Sequence, residues 1–284
     1  MDRILITGAS GLLGTHLSEF LRNSGLNVIT HAFKSKADNN FDLSKKSDVL
    51  SALDEINPTI IINLAALTDV DKCEEDIQLC YSTNVRAVEN LTEWINGKDC
   101  QLIHISTDQL YDNAVASKED NIVMSNTYTF SKYASELAAH KVGATIIRTN
   151  FFGKSQTPNR DSFSDWITKA LKDGQKINMF NDVLFNPVSI QTLCNCLKLI
   201  VEKPIGGVFN IGSKDPLSKK DFAMYLAELF SLDTSNINSI TIEELNLKAN
   251  RPKNMIMDVS KFEETYSIEL PSLKDEIASL RNGK

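Results

Sequence analysis

Tyr128 and Lys132 stand four residues apart, with Thr107 upstream of them. On a helix, positions i and i+4 share a face, so a phenol and an ammonium would lie side by side. Such a pair can do proton chemistry. A free phenol titrates near ~10, and an adjacent positive charge lowers that value by stabilising the phenolate. A shift of about three units requires ~4 kcal/mol of differential interaction. A hydroxyl at Thr107 would hold a carbonyl oxygen close to the Tyr128 hydroxyl. Reducing a ketone needs a proton at oxygen and a hydride at carbon. The hydride has to come from a nicotinamide, since no side chain supplies one. Taken alone, a tyrosine–lysine pair also fits a surface helix, and a threonine after a strand also fits a turn.

Their position is what gives these residues meaning. Leu102 to Ser106 is an apolar strand, so Thr107 falls at a strand C-terminus. Tyr128 to His140 is helical, with Ser125, Asn126 and Thr127 as candidate caps. The chain begins with another buried strand, Ile4-Leu5-Ile6, which enters glycines at 8, 11 and 14 and then Leu13, Leu17, Phe20 and Leu21 at helical spacing. Strand, glycine turn and helix form a dinucleotide-binding fingerprint. Gly8 permits the tight turn, Gly11 lets backbone approach a pyrophosphate, and Gly14 allows close helix packing. The helix N-terminus, with Ser10 and Leu12 in the turn, offers free N–H groups to phosphate.

The rhythm continues. Asn27 to His31, Ile60 to Ala66 and Ala144 to Arg148 read as strands. Ser47 to Ile56 and Ile77 to Trp94 read as helices, and Lys34 to Asn40 as a charged and polar connection. Alternation up to about residue 150 predicts a parallel sheet covered on both faces, with the strand C-termini sharing one ligand-binding edge. Beyond that point the pattern changes. Phe151 to Asp161 reads as a loop. Helices are expected at Phe163–Lys172, Leu193–Val201, Asp221–Phe230 and Leu273–Leu280, with strands at Val183–Phe185 and Gly207–Ile211. Ser- and Asn-rich connections separate the last helices.

The 284 residues suffice for a large α/β core. A net charge of −7 without a basic block argues against nucleic acid. No apolar run approaches the ~18 residues of a spanning helix, and no signal-peptide pattern precedes the first strand. Five scattered cysteines suggest buried thiols in a reducing cytoplasm. The four histidines show no ligand spacing, so no metal site is expected.

In order and spacing, the motifs resemble the extended short-chain dehydrogenase/reductases, and within them the dTDP-4-dehydrorhamnose reductase family. The matching segments are Thr7 to Gly14, Asn63 to Glu74, Ser106-Thr107-Asp108, Tyr128 to Lys132, Arg148-Thr149, Asn186-Pro187 and Arg251 to Asn254. The resemblance implies a Rossmann-type doubly wound parallel sheet with a smaller C-terminal α/β substrate lobe. Residues 1–152 would form the first domain, with 186–211 returning to it. Residues 153–185 and 212–284 would form the lobe.

It also implies residue roles. Thr107, Tyr128 and Lys132 match the catalytic triad, Lys132 also holding the nicotinamide ribose. Gly8, Gly11 and Gly14 match the pyrophosphate turn. Ala65 and Ala66 match the turn beside the adenosine half, and Asp42-Leu43 an acidic–apolar pair near adenine. Asn84 matches a helix asparagine near the active site, with a plain surface asparagine as the alternative. Gln109 replaces the family's usual tyrosine and Phe151 its usual tryptophan, both at the sugar pocket. The reduction survives these changes, but rhamnose as the sugar does not follow. Arg251 is the candidate for the substrate pyrophosphate, ahead of Arg160 and Lys154.

At the end of the second strand no carboxylate occurs before Asp38, while Lys34, Ser35 and Lys36 lie in the turn. That favours NADP over NAD, a solvated basic turn being the alternative. The expected activity is reduction of a 4-keto-6-deoxy nucleotide sugar by a cytoplasmic, non-membrane enzyme, with a homodimer as one expectation. Other readings are a nucleotide-sugar epimerase or dehydratase, or a non-catalytic NADP-binding regulatory subunit.

Overall fold

A computed structural model of the chain describes residues 2–157 and 160–282. The expected loop over 151–161 therefore contains two positions, 158 and 159, that lie outside the described residues. The elements in chain order begin with β1 (Arg3–Thr7), α1 (Leu12–Asn23), β2 (Asn27–Ala32), β3 (Asn39–Asn40), α2 (Lys46–Ile56) and β4 (Ile60–Asn63). Then come α3 (Val70–Glu75), α4 (Ile77–Tyr81), α5 (Ala87–Ile95), β5 (Gln101–Ile105), α6 (Thr127–His140) and β6 (Thr145–Thr149). The later part holds β7 (Phe151–Phe152), α7 (Phe163–Lys172), β8 (Ile177–Phe180), β9 (Leu184–Phe185), β10 (Val188–Ser189), α8 (Ile190–Glu202) and β11 (Gly207–Ile211). It closes with β12 (Leu217–Ser218), α9 (Lys219–Leu229), β13 (Ile237–Ile240), α10 (Ser260–Tyr266) and α11 (Leu273–Ser279).

Seven strands form the main sheet in the order β11-β6-β5-β4-β1-β2-β3. The pairs β1–β2, β1–β4, β4–β5, β5–β6 and β2–β3 are all parallel. Strand order reverses at β1, with β2 on one side and β4 on the other. In sheets of this kind, ligands bind in the crevice at that switch point. Ile4, Leu5 and Ile6 of β1 and Ile61 and Ile62 of β4 are fully buried, as a sheet covered on both faces demands. One covering layer is an apolar cluster that includes Val49 and Leu53 of α2, Val88 and Leu91 of α5, and Ala138 and Ala139 of α6. Burying each large aliphatic side chain contributes about 1.5–3 kcal/mol.

The chain divides into two compact units. One comprises 1–107, 126–148 and 194–208, and the other 108–125, 149–193 and 209–284. Residues 108–125, within the 1–152 expected for the first domain, group with the second unit, and of the expected return over 186–211 only 194–208 groups with the first. That unit has its own core, built on Phe152, Ile167, Phe185, Phe222, Leu226, Leu273 and Ile277.

Several short elements had no local signature. Strand β3 is two asparagines inside the polar connection, and it pairs with His31 and Ala32. β8 and β13 pair in parallel, from Ile177↔Ile237 to Phe180↔Ile240, across some sixty residues of sequence. A four-residue strand whose partner is that distant shows no readable period of its own. The five cysteines are free and buried. Among the described residues, no helix is long and apolar enough to cross a membrane.

Candidate active site

The glycine turn is built by close approach. Gly8 has φ 66°, and a Cβ there would fall 2.9 Å from the Ala65 nitrogen. A side chain is excluded by backbone on one side and by conformation on the other. This contact joins the turn after β1 to the Ala65-Ala66 turn after β4. At Gly14 a Cβ would lie 2.5 Å from the Gly8 carbonyl oxygen, so α1 starts hard against the turn. Gly11 is the N-cap of α1 and brings no capping side chain. No side chain of that residue covers the first N–H groups of α1, and such helix starts favour an anion.

The catalytic candidates gather on the same unit. Thr107 follows β5 and is buried. Tyr128 and Lys132 sit in the first turns of α6, which is started by a capping box at Asn126 with Thr129. Asn126 is therefore the cap among the three predicted candidates. Lys132 is only 2% exposed, and its Nζ donates to the Ile105 carbonyl at 2.7 Å. That bond tethers the ammonium two residues before Thr107. Burial lowers the Lys132 pKa to about 8, against a partial counter-effect from Glu136. Glu136 is one turn further along α6, but its charge is already engaged. Arg148 reaches both of its oxygens, at 3.0 Å and 2.6 Å, and the Ser106 hydroxyl donates to it at 2.5 Å. Lys132 and Tyr128 lie one turn apart on the same face of α6.

Two further networks hold this helix. Thr7 donates to Asn63 Oδ1, Asn63 Nδ2 donates to His104 Nδ1, and His104 Nε2 donates to Ser135 Oγ, which in turn donates to the Lys132 carbonyl. The chain of bonds runs from β1 through β4 and β5 to α6. Burial keeps His104 well below its ordinary pKa, and the Lys132 charge pushes the same way, so the ring is neutral. The second network starts at Asn84, buried in a π-helical turn spanning Ser82–Arg86. Its amide bonds both backbone groups of Leu67 and donates to Ser131 Oγ at 2.9 Å. Asn84 is thus a positioning residue between the loop after β4 and α6. Such π-turns are frequent at functional sites.

Asn63, His104, Ser135, Glu136 and Arg148 were not singled out from the sequence. A signal for three of them was there: a polar residue inside a strand buried on both faces needs a partner. Asn63 ends Ile-Ile-Ile, His104 interrupts Leu-Ile-Ile, and Arg148 follows Ile-Ile.

The turn after β2 is strongly tied back. Asp38 accepts from the Thr30 N–H at 2.9 Å, the Thr30 hydroxyl at 2.7 Å and Arg22 at 2.7 Å. The Thr30 bonds, with Arg22 beside them, hold its carboxyl below the usual range. Asn40 meanwhile bonds the carbonyls of Ala32 and Ser35. Lys36 lines a cavity of about 350 Å³ together with Ala9, Thr15, Arg22 and Thr30. Lys34 lies over the exposed ring of Phe33. Asp42 accepts from Ser44, and the Leu43 side chain enters the core, its carbonyl bound by Asn90.

The substrate candidates belong to the second unit. Gln109 is half-buried in a short 3-10 turn, Asp108–Leu110. Phe151 is in β7, paired with β10. Arg251 is half-buried, with Nη1 directed to the Ala249 carbonyl.

A parallel sheet with a glycine turn at its switch point, and a tyrosine–lysine helix beside the end of the adjoining strand, is the build of a short-chain dehydrogenase/reductase. More narrowly, the chain belongs to the RmlD substrate binding domain family, whose model matches residues 1–282. It is 27% identical over 287 residues to the probable low-salt glycan biosynthesis reductase Agl14 of Haloferax volcanii, covering 97% of this chain and 96% of that protein. It is equally 27% identical to a dTDP-4-dehydrorhamnose reductase of Aggregatibacter actinomycetemcomitans, over 99% of both chains. The crystal structure of a dTDP-4-dehydrorhamnose reductase from Bacillus anthracis in complex with NADP shares the fold, with a TM-score of 0.91 at 24% identity over 100% of this chain and 99% of the other.

Proposed function

We propose that this enzyme reduces the 4-keto group of a 4-keto-6-deoxy nucleotide sugar with NADPH, Tyr128 being the proton donor. The observation that carries the reading is the Lys132 ammonium. It is buried, tethered to the Ile105 carbonyl and on the face of α6 that carries Tyr128. The reductase names of the family relatives support the substrate class.

The dinucleotide fits the residues present, because the closeness of Gly8 to Ala65 and the uncapped start of α1 form a cradle for a pyrophosphate. Gly8, Gly11 and Gly14 would hold it, with Lys132 at the nicotinamide ribose. When bound, NADPH supplies the hydride. Thr107 donates a hydrogen bond to the ketone oxygen. Tyr128 gives that oxygen its proton, and Lys132 stabilises the phenolate left behind. The phosphorylated cofactor is favoured because Asp38, the first carboxylate after β2, is spent on Thr30 and Arg22, while Lys36 lines the cavity beside Ala9. A reducing cytoplasm suits the five free thiols.

Tyr128→Phe should lower kcat for ketone reduction by roughly 10²–10⁴-fold and leave NADPH affinity within about twofold. The assay follows NADPH consumption against a panel of nucleotide 4-keto sugars, with product identification. Net consumption separates reduction from an epimerase or dehydratase, which would cycle its hydride. Undiminished turnover in the phenylalanine variant would remove Tyr128 from the role.

A further inference from the structure

The second unit contains a lysine that the proposed chemistry does not use. Lys219 opens α9, whose N-cap is Ser218. Its backbone N–H is fixed to the Val183 carbonyl at 2.9 Å. Its Nζ lies 4.0 Å from the centroid of the Phe185 ring and 4.6 Å from that of Phe163. These two rings meet edge to face, forming an aromatic seat under the ammonium. Cation–π attraction offsets part of the cost of desolvation. It fills none of the three N–H donors, and among the described residues Nζ makes no hydrogen bond and no ion pair. Lys219 is half-buried, so the ammonium can meet an acceptor from outside the protein without giving up a protein partner.

Four carboxylates on this and nearby segments have partners of their own. Asp108, buried, is the charged group that acts on Lys219, and it accepts a 2.7 Å bond from Asn150. Asp221 on the same helix is bound to Ser218. Asp165, on the facing helix α7, accepts from Ser155 and Ser162. Asp182, just before Val183, pairs with Lys253. Asp108 and Asn150 are also the chain neighbours of Gln109 and Phe151, the two positions where the sequence departs from its family.

We propose that Lys219 binds an oxygen of the substrate's diphosphate, acting as a substrate-binding residue of the second unit in addition to the candidate Arg251. The proposal rests on the nucleotide-sugar reading above. A phosphoryl oxygen is the acceptor a strongly hydrated point charge takes most readily, and it supplies the countercharge that Asp108, shared with Asn150, gives only in part. Burial lowers the Lys219 pKa to about 8. Its charge, and with it the contact, is present below that pH and lost above it.

The test is calorimetric titration of dTDP and UDP into the full-length protein, wild type and Lys219→Met, at pH 7 and pH 9. Methionine keeps the stem packed on the two rings. Lys219→Met should weaken nucleoside diphosphate binding roughly tenfold at pH 7. Wild-type affinity should fall between pH 7 and pH 9, and the variant should lose most of that fall. Lys219→Arg should restore part of the affinity at both pH values. NADPH affinity and Tm, measured alongside, should stay near wild type. Equal binding by wild type and Lys219→Met overturns the inference, as does a weakening confined to sugar nucleotides and absent with the bare diphosphates. A wild-type protein that binds NADPH but neither diphosphates nor sugar nucleotides overturns the nucleotide-sugar reading itself, and the inference with it.

Discussion

Lys132 carries charge where charge is expensive. Burial lowers its pKa from 10.5 to about 8, and Glu136, itself paired with Arg148, offsets only part of that fall. The ammonium is therefore present at pH 7 and lost as pH rises through about 8. Ketone reduction should follow it: kcat/KM is expected to fall above about pH 8, and Lys132→Met should abolish that limb while reducing the rate roughly a hundredfold or more. A pH–rate profile of both proteins checks this, and a limb that persists in the variant removes Lys132 as its source. Stability gives an independent sign. Between about pH 8 and pH 10 the unfolded lysine still binds a proton that the folded one has released, so its contribution to stability rises with pH. The stability difference between wild type and Lys132→Met should shift in favour of wild type over that window, as read by urea unfolding at both pH values.

At the scale of elements, α6 is the part whose placement matters most. It is fixed to β6 through Glu136–Arg148, both side chains nearly inaccessible, at 2% and 3% exposure. Breaking a buried ion pair by removing one partner costs about 3–5 kcal/mol, because the other charge is left uncompensated. Arg148→Met is expected to destabilise by that order in equilibrium denaturation, and to lower kcat in whatever fraction remains folded, since Ser106 loses the fixed position of its acceptor. A destabilisation under about 1 kcal/mol would contradict this. Helix α1 offers a second test. Gly14→Ala places a methyl 2.5 Å from the Gly8 carbonyl oxygen. Turn and helix must move apart, at a cost of about 1–3 kcal/mol. NADPH affinity should fall together with Tm, whereas Gly25→Ala, which meets nothing within 4 Å, should alter stability by backbone strain alone and spare the cofactor.

At the scale of the whole molecule, two units with separate cores share one chain that crosses between them five times. The glycine turn and the Tyr128–Lys132 helix belong to one unit, and Gln109, Phe151, Arg251 and Lys219 to the other. A ligand that binds the folded first unit stabilises it by mass action, by about 2.7 kcal/mol at a hundred times its Kd. NADPH should therefore raise the thermal midpoint of this protein, and NADH at equal concentration should raise it less. An NADH shift equal to or larger than that of NADPH would refute the reading of the Lys36 cavity and the engaged Asp38.

The amino-acid sequence determined the sheet and its ligand edge. Runs such as Ile4-Leu5-Ile6 and Ile60 to Ile62 have no stable place except a buried parallel sheet, and local spacing put Gly8, Gly14, Tyr128 and Lys132 at the ends of its elements. The pattern failed where pairing partners are remote, as in β3, β8 and β13, because a two- to four-residue strand is defined by its neighbour. It failed too where a residue's role depends on what another residue has already taken. That Glu136 is occupied by Arg148, that Asp38 is occupied by Thr30 and Arg22, and that Lys219 rests on Phe163 and Phe185 are facts of proximity between distant segments. Only the tertiary structure decides which charges are paired, because electrostatic contact depends on distance and burial and leaves no period in the chain.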